Sequence, residues 1–418
     1  MQWVNPAHAV RAIPDGSRVV LPHGAVEPTA FYAAFGQEHG RFRTLELYSG
    51  LQFGRYQFLD AGLVDHYSYT TWQASPRLRP HFRAGRVGFL PLRFSQICST
   101  FSRGGPLPPD VVVIQTSPPR GDQVSLGISV GIFPDLVRAA RLVIAEVNPA
   151  MPWTRDAALL PTSTIDLAVE SDAPLGTYVP RARTARDDRI ADIVLSLIPR
   201  RAWVQLGVGA IPDAVLPGLA KIGDVNLHSG MLTEGLVEFV ERAGHSPRIV
   251  TGEVAGTTDL YEFIAATPQV ELHPTHITHA IFVAGRLPRF VAVNSAVEVD
   301  LTGQVNGEAV AGVQISGIGG SLDFVEAAAY APEGLSIIAL PSTTEDGRHS
   351  RIVGRLQAGT PTSIPRVCTD IVVTEFGAAR LRGQDLAARA EALTAIAHPD
   401  YRDTLAGPVP HDRPSAGG

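Results

Sequence analysis

Four stretches of the chain combine residue types and spacings that suit chemistry. QLGVGAIPDAV (205–215) sets Gly207, Val208 and Gly209 after an apolar run and before a helical pattern starting near Pro212. Glycines there let backbone approach a phosphate, and free N–H groups at a helix start can hold it. The third glycine of a dinucleotide fingerprint is missing, so a tight turn without a ligand fits these residues as well. SGIGGSLDF (316–324) carries Gly317, Gly319 and Gly320. Such a run can aim consecutive N–H groups at an anion or an oxyanion, or simply turn the chain. ELHPTHITH (271–279) spaces His273, His276 and His279 three apart. On a helix they would share a face and suit a metal, but the proline and the threonines argue against a helix and no carboxylate completes a ligand set. No metal is expected, which leaves one histidine in acid–base work or ordinary solvated and capping roles. VVTEFGAARLRG (372–383) places Glu375 just past a strand. Parallel-sheet enzymes often put chemistry there, and loop caps and ion pairs sit there too.

The scaffold that must position these residues reads as α/β. At about 100–200 residues per domain, 418 residues make two or three domains. Short Val/Ile/Leu runs predict buried strands near Ser17–Pro22, Arg86–Leu90, Val111–Thr116, Leu142–Val147, Trp203–Val208, Arg248–Val254, Phe290–Asn294, Ser336–Leu340 and Ile371–Glu375. Helical patterns fall near Pro134–Arg141, Asp187–Leu197, Pro212–Leu219, Gly235–Ala243, Leu260–Ala265 and Leu386–Ala397. Ser171–Arg189 reads as a linker between two halves that show no convincing sequence repeat. No apolar run reaches a membrane-spanning length, and residues 1–20 lack a signal-peptide pattern, so a cytoplasmic protein is expected. A net charge of −6 without a basic tract excludes nucleic acid as a partner. Lys221 is the one lysine among 35 basic side chains, which reflects base composition rather than chemistry. Cys98 and Cys368 are too few for a disulfide framework and are read as inert packing residues. There is no G-x-S-x-G elbow and no P-loop lysine.

Taken together, the motifs resemble the acetyl-CoA hydrolase/transferase family. The likeness runs colinearly from about Gly24 to Leu405, through GAVEP (24–28), VIAEVNPAMPWT (143–154), QLGVGAIPDAV, AVNSAVEVDLTGQVNGE (292–308), SGIGGSLDF, VVTEFGAARLRG and AIAHPDYRDTL (395–405). The resemblance implies two open α/β domains of the class I CoA-transferase type with largely parallel sheets. They would span 1–185 and 186–408, followed by a flexible tail at 409–418, with the active site in the cleft between them. It further implies an acyl-CoA substrate, coenzyme A as substrate moiety without a metal, no membrane partner, and a homodimer.

Members of this family relay the acyl group through a glutamate, forming first an anhydride and then a glutamyl-CoA thioester, while a glycine-rich turn holds the oxyanion. The resemblance puts that turn at Gly319 and Gly320, with Gly207, Val208, Gly209, Gly317, Ser95, Gln96 and Asn294 around the substrate. The nucleophile is different. Aligned on His228 and Gly235 of LHSGMLTEG, the glutamate position is Gly230, and Glu234 matches a later aspartate. His279 stands 15 positions before Asn294, where the family has an asparagine. In LRFSQICSTF, Ser95 matches, whereas many members have Glu at Gln96 and Pro at Cys98. The expectation is a thioester enzyme with a rebuilt centre that hydrolyses, decarboxylates or transfers an acyl group. His279 would be the acid–base group, with Glu375 and His228 in secondary roles. Two alternatives stand beside it: a conventional transferase or hydrolase using Glu234 or Glu253 as a shifted nucleophile, and a CoA-binding protein without catalysis.

Overall fold

The computed structural model describes residues 1–59 and 66–405, so the tail expected at 409–418 lies outside the described residues. Two eight-stranded sheets organise the chain. In the first, the order is Gln2–Trp3, Leu167–Glu170, Leu142–Val147, Val111–Thr116, Arg18–Val20, Glu46–Ser49, Ser68–Thr71 and Val87–Phe89, every pairing parallel. In the second it is Val270–Leu272, Ile249–Val254, Asn226–Leu232, Trp203–Leu206, Phe290–Ser295, Leu335–Ala339, Ile371–Thr374 and Gly377–Arg380. Only the last pair there is antiparallel.

The two sheets share one winding. In each, four strands step outward in one direction, and the chain then returns to the other side of the first of them. The strand order therefore reverses beside Arg18–Val20 in the first sheet and beside Trp203–Leu206 in the second. Such reversals leave a crevice at the carboxyl ends of the strands, where open α/β sheets bind ligands. Val111–Thr116 and Ile249–Val254 are buried at every residue, as strands covered on both faces must be. The helix Ala185–Leu197 opens the second half with a capping box at Thr184 and Asp187, and packs on Ala210–Gly218.

Backbone hydrogen bonds stitch the halves together. The N–H groups of Val130 and Gly131 donate to Gly252 O at 3.0 and 3.1 Å, Val254 N to Ile128 O at 2.9 Å, and Phe94 N to Gly319 O at 2.9 Å. Buried apolar residues of both halves form one contiguous cluster across this seam.

The histidine run departs from its expectation. Thr275–Thr278 is a short helix, because Pro274 stands at its N-cap rather than within it. Its histidines still diverge: His273 meets Glu271, His276 meets Asp135 and His279 turns inward.

Candidate active site

Both reversal points open on one cavity of about 450 Å³, walled from the two halves. His23 and Gly24 follow the strand Arg18–Val20, and Gly207 and Val208 follow Trp203–Leu206. The turn Gly317–Gly320 closes another side. Gln205 and Asn294, on neighbouring strands, join their amides in both directions, Gln205 Nε2 to Asn294 Oδ1 at 3.3 Å and Asn294 Nδ2 to Gln205 Oε1 at 3.0 Å. That pairing fixes both amides at the cavity edge.

Gly230 lies in the strand Asn226–Leu232, and the imidazole of His279 occupies the space beside it. A Cβ at Gly230 would come within 2.5 Å of His279 Nε2 and 2.7 Å of Cε1, and one at Gly320 within 2.6 Å of Nε2. The ring lies between Phe94 and Phe324, with centroids 4.6 and 4.8 Å away. Its Nδ1 pairs with Thr278 Oγ1 at 2.9 Å, and among the described residues Nε2 takes no hydrogen bond. Burial, then the neighbouring His228, depresses its pKa to about 3, so the imidazole is neutral at pH 7.

The glycine turn needs its glycines for two reasons. Gly319 has φ +55°, and a side chain at Gly317 would run into the backbone carbonyl of Trp72. Behind the turn begins the helix Ser321–Tyr330. Its buried Asp323 accepts hydrogen bonds from Ser95 N at 3.0 Å and Ser95 Oγ at 2.7 Å. Burial raises the Asp323 carboxyl to about 6 against the pull of those bonds. Ser95 thus anchors the turn from the opposite half.

A second pair was not foreseen as a unit. His23 Nε2 hydrogen-bonds Glu253 Oε1, each residue 3% exposed and each lining the cavity. Among the described residues, His23 Nδ1 and Trp72 Nε1 are buried without a partner. No arginine or lysine belongs to the described lining, whereas Leu51, Trp72, Phe94, Leu206, Met231 and Phe324 do.

Other expected residues sit elsewhere. Gly209, with φ +138°, starts the helix Ala210–Gly218 but is not part of the cavity wall. Gln96 Oε1 caps Arg93 N at 3.1 Å. His228 lies beneath the site, its Nε2 on Thr278 O at 2.9 Å, and burial lowers its pKa to about 4. Glu375 is away from the cavity, accepting from Ser342 N and Oγ at 2.8 Å. Glu234 is likewise engaged elsewhere, with Thr257 N and Oγ1 at 2.9 Å. Burial pushes the Cys98 thiol up, away from thiolate chemistry. Among the described residues, no group of three or more His, Cys, Asp or Glu is placed to hold a metal ion.

Comparison with known proteins adds a consistent set of likenesses. Residues 6–180 match the profile of the acetyl-CoA hydrolase/transferase N-terminal domain, and residues 256–408 match that of its C-terminal domain. The chain is 35% identical over 412 residues to 4-hydroxybutyrate coenzyme A transferase of Clostridium kluyveri, covering 96% of each. Its fold superposes on RipA from Yersinia pestis with a TM-score of 0.91 at 30% identity, over 97% of this chain and 96% of that one. With 4-hydroxybutyrate CoA-transferase from Porphyromonas gingivalis the TM-score is 0.80 at 32% identity, over 97% and 96%.

Proposed function

The chain belongs to the acetyl-CoA hydrolase/transferase family, and from that premise we propose that it processes acyl-CoA thioesters without a glutamyl-CoA intermediate. Hydrolysis, decarboxylation and acyl transfer to a small acceptor are the reactions open to such a site. One observation carries the reading. At Gly230, where the family resemblance puts the nucleophile, there is no side chain, and the imidazole of His279 fills the adjoining volume.

In this reading the backbone N–H groups at Gly319 and Gly320 hold the thioester oxygen as it gains charge. His279 acts beside them through its free Nε2 as a neutral acid–base group. Gly207, Val208 and Gly317 let the CoA thioester approach backbone, and the Gln205–Asn294 pair borders the carbonyl. Glu375 and His228 support the frame from outside the cavity, while Ser95 holds the helix behind the turn through Asp323. The family likeness also supports a homodimer, which light scattering on the purified protein tests.

Incubation with acetyl-CoA or butyryl-CoA tests the central claim. Free thiol should appear while the intact protein mass stays unchanged. A CoA adduct on a glutamate would overturn it in favour of the second reading, a shifted nucleophile. Glu253 favours that second reading by lining the cavity, as Glu234 does not.

A further inference from the structure

We propose that Glu253 is a general base that directs water onto the thioester carbonyl, that His23 positions it, and that the acyl group carries no charge. This rests on the thioester reading above and deepens it by moving the proton transfer from His279 to Glu253, which narrows the open reactions to hydrolysis.

The two side chains come from opposite halves, 230 positions apart, and meet at the seam where Ser129 bridges to Glu253. A buried carboxylate is costly without a partner, and His23 Nε2–H supplies one. That bond fixes the tautomer. With the proton on Nε2, the unpartnered Nδ1 is a bare acceptor, which costs less than burying an orphaned N–H. Glu253 is thus held by one oxygen. Its other oxygen, Oε2, takes no hydrogen bond among the described residues and lies toward Gly24 on the cavity wall. An open carboxylate lone pair within reach of a reacting water is the geometry of a general base.

The charge balance of the wall selects the substrate. The described lining holds one carboxylate and no arginine or lysine. A dicarboxylic acyl group, or a carboxylate acceptor, would enter beside Glu253 with no cation to offset either charge. Water and a neutral alkyl or aryl acyl chain meet no such penalty, and the apolar side chains of Leu51, Phe94 and Met231 suit the chain.

The step balances without a further reactant. The water oxygen bonds to the thioester carbon while one of its protons passes to Glu253 Oε2. The carbonyl π pair moves onto oxygen, held by the Gly319–Gly320 turn. The carbon–sulfur bond then breaks, its electron pair leaves with sulfur, and Glu253 returns the proton to the thiolate. Thioester plus water gives carboxylic acid plus thiol, and nothing is oxidised or reduced.

Turnover in heavy-oxygen water tests this, with acetyl-, butyryl- and succinyl-CoA as probes. The acid product should gain one heavy oxygen, and the peptide bearing Glu253 none. Butyryl-CoA should exceed succinyl-CoA by at least ~10-fold in kcat/KM. Glu253→Gln should lower kcat by ~10²–10⁴-fold, and binding of CoA should hold within ~3-fold. His23→Gln, which keeps a donor, should retain more kcat than His23→Phe, with KM similar in both. A heavy oxygen on Glu253, wild-type kcat in Glu253→Gln or a preference for succinyl-CoA overturns this proposal alone and leaves the reading above standing, whereas a CoA adduct on Glu253 overturns both in favour of the shifted nucleophile. Butyryl-CoA bound but never turned over by the wild type sinks both.

Discussion

At Gly230 and His279 two residues exclude each other's alternatives. The imidazole stands where a side chain at 230 would begin, so a glutamate at 230 cannot enter while the ring remains. Gly230→Glu alone should therefore yield no glutamyl-CoA adduct and should lose about 1–3 kcal/mol of stability through overpacking. Gly230→Glu combined with His279→Asn frees that volume, and intact-mass measurement after incubation with butyryl-CoA should show the adduct. The same imidazole makes a prediction about pH. Burial, then His228, lowers its folded pKa to about 3 from 6.5. Its stability contribution is thus complete above the unfolded value and is lost as pH falls toward the folded one, because the unfolded chain takes up a proton that the native site refuses. Relative to wild type, His279→Asn should gain up to about 1.4 kcal/mol per pH unit below that value. Denaturant unfolding of the two proteins at about pH 7 and about pH 5 measures it. An equal gap at both would mean that the ring is not held neutral.

The element scale is where the glycine turn belongs. Gly319 has φ +55°, and the turn presses against the opposite half through Phe94 and Gln73. Gly319→Val strains that backbone and displaces the donors, so thioester turnover should fall by ~10²-fold or more. Retention of full rate in a correctly folded variant would remove the turn from the chemistry. Strands such as Val111–Thr116 and Leu142–Val147 were legible with their bounds, because a short, mainly apolar run rich in Val and Ile suits a strand covered on both faces. Asn226–Leu232 was not, since His228, Ser229 and Gly230 interrupt its apolar run, although it is flanked on both sides in the sheet. The helix Ser321–Tyr330 was hidden behind a glycine run that reads as loop. At the site, the family motifs pointed to Gly230, His279 and the turn, while Glu253 stood only as a shifted nucleophile. Its meeting with His23 left no local trace, because it depends on how two distant strand ends are brought face to face.

For the whole molecule, the cavity is a wall shared by the halves. A CoA thioester bound there touches both and should stabilise them as one unit. With ligand at about a hundred times its Kd, the native state gains about 2.7 kcal/mol, so the Tm should rise with concentration, and the rise should persist in Glu253→Gln if binding and proton transfer are separable. A flat Tm across millimolar CoA thioester would mean that the native chain does not bind it.

The pairing of His23 with Glu253 also bears on how such chains diverge. Its two members lie on opposite sides of the 171–184 segment that joins the halves. A crossover in that segment, exchanging one half with a relative that lacks the partner residue, would leave a buried imidazole without its carboxylate or a buried carboxylate without its donor. A chimera that takes one half from a relative lacking the partner residue should therefore unfold at lower denaturant than one that keeps both positions 23 and 253.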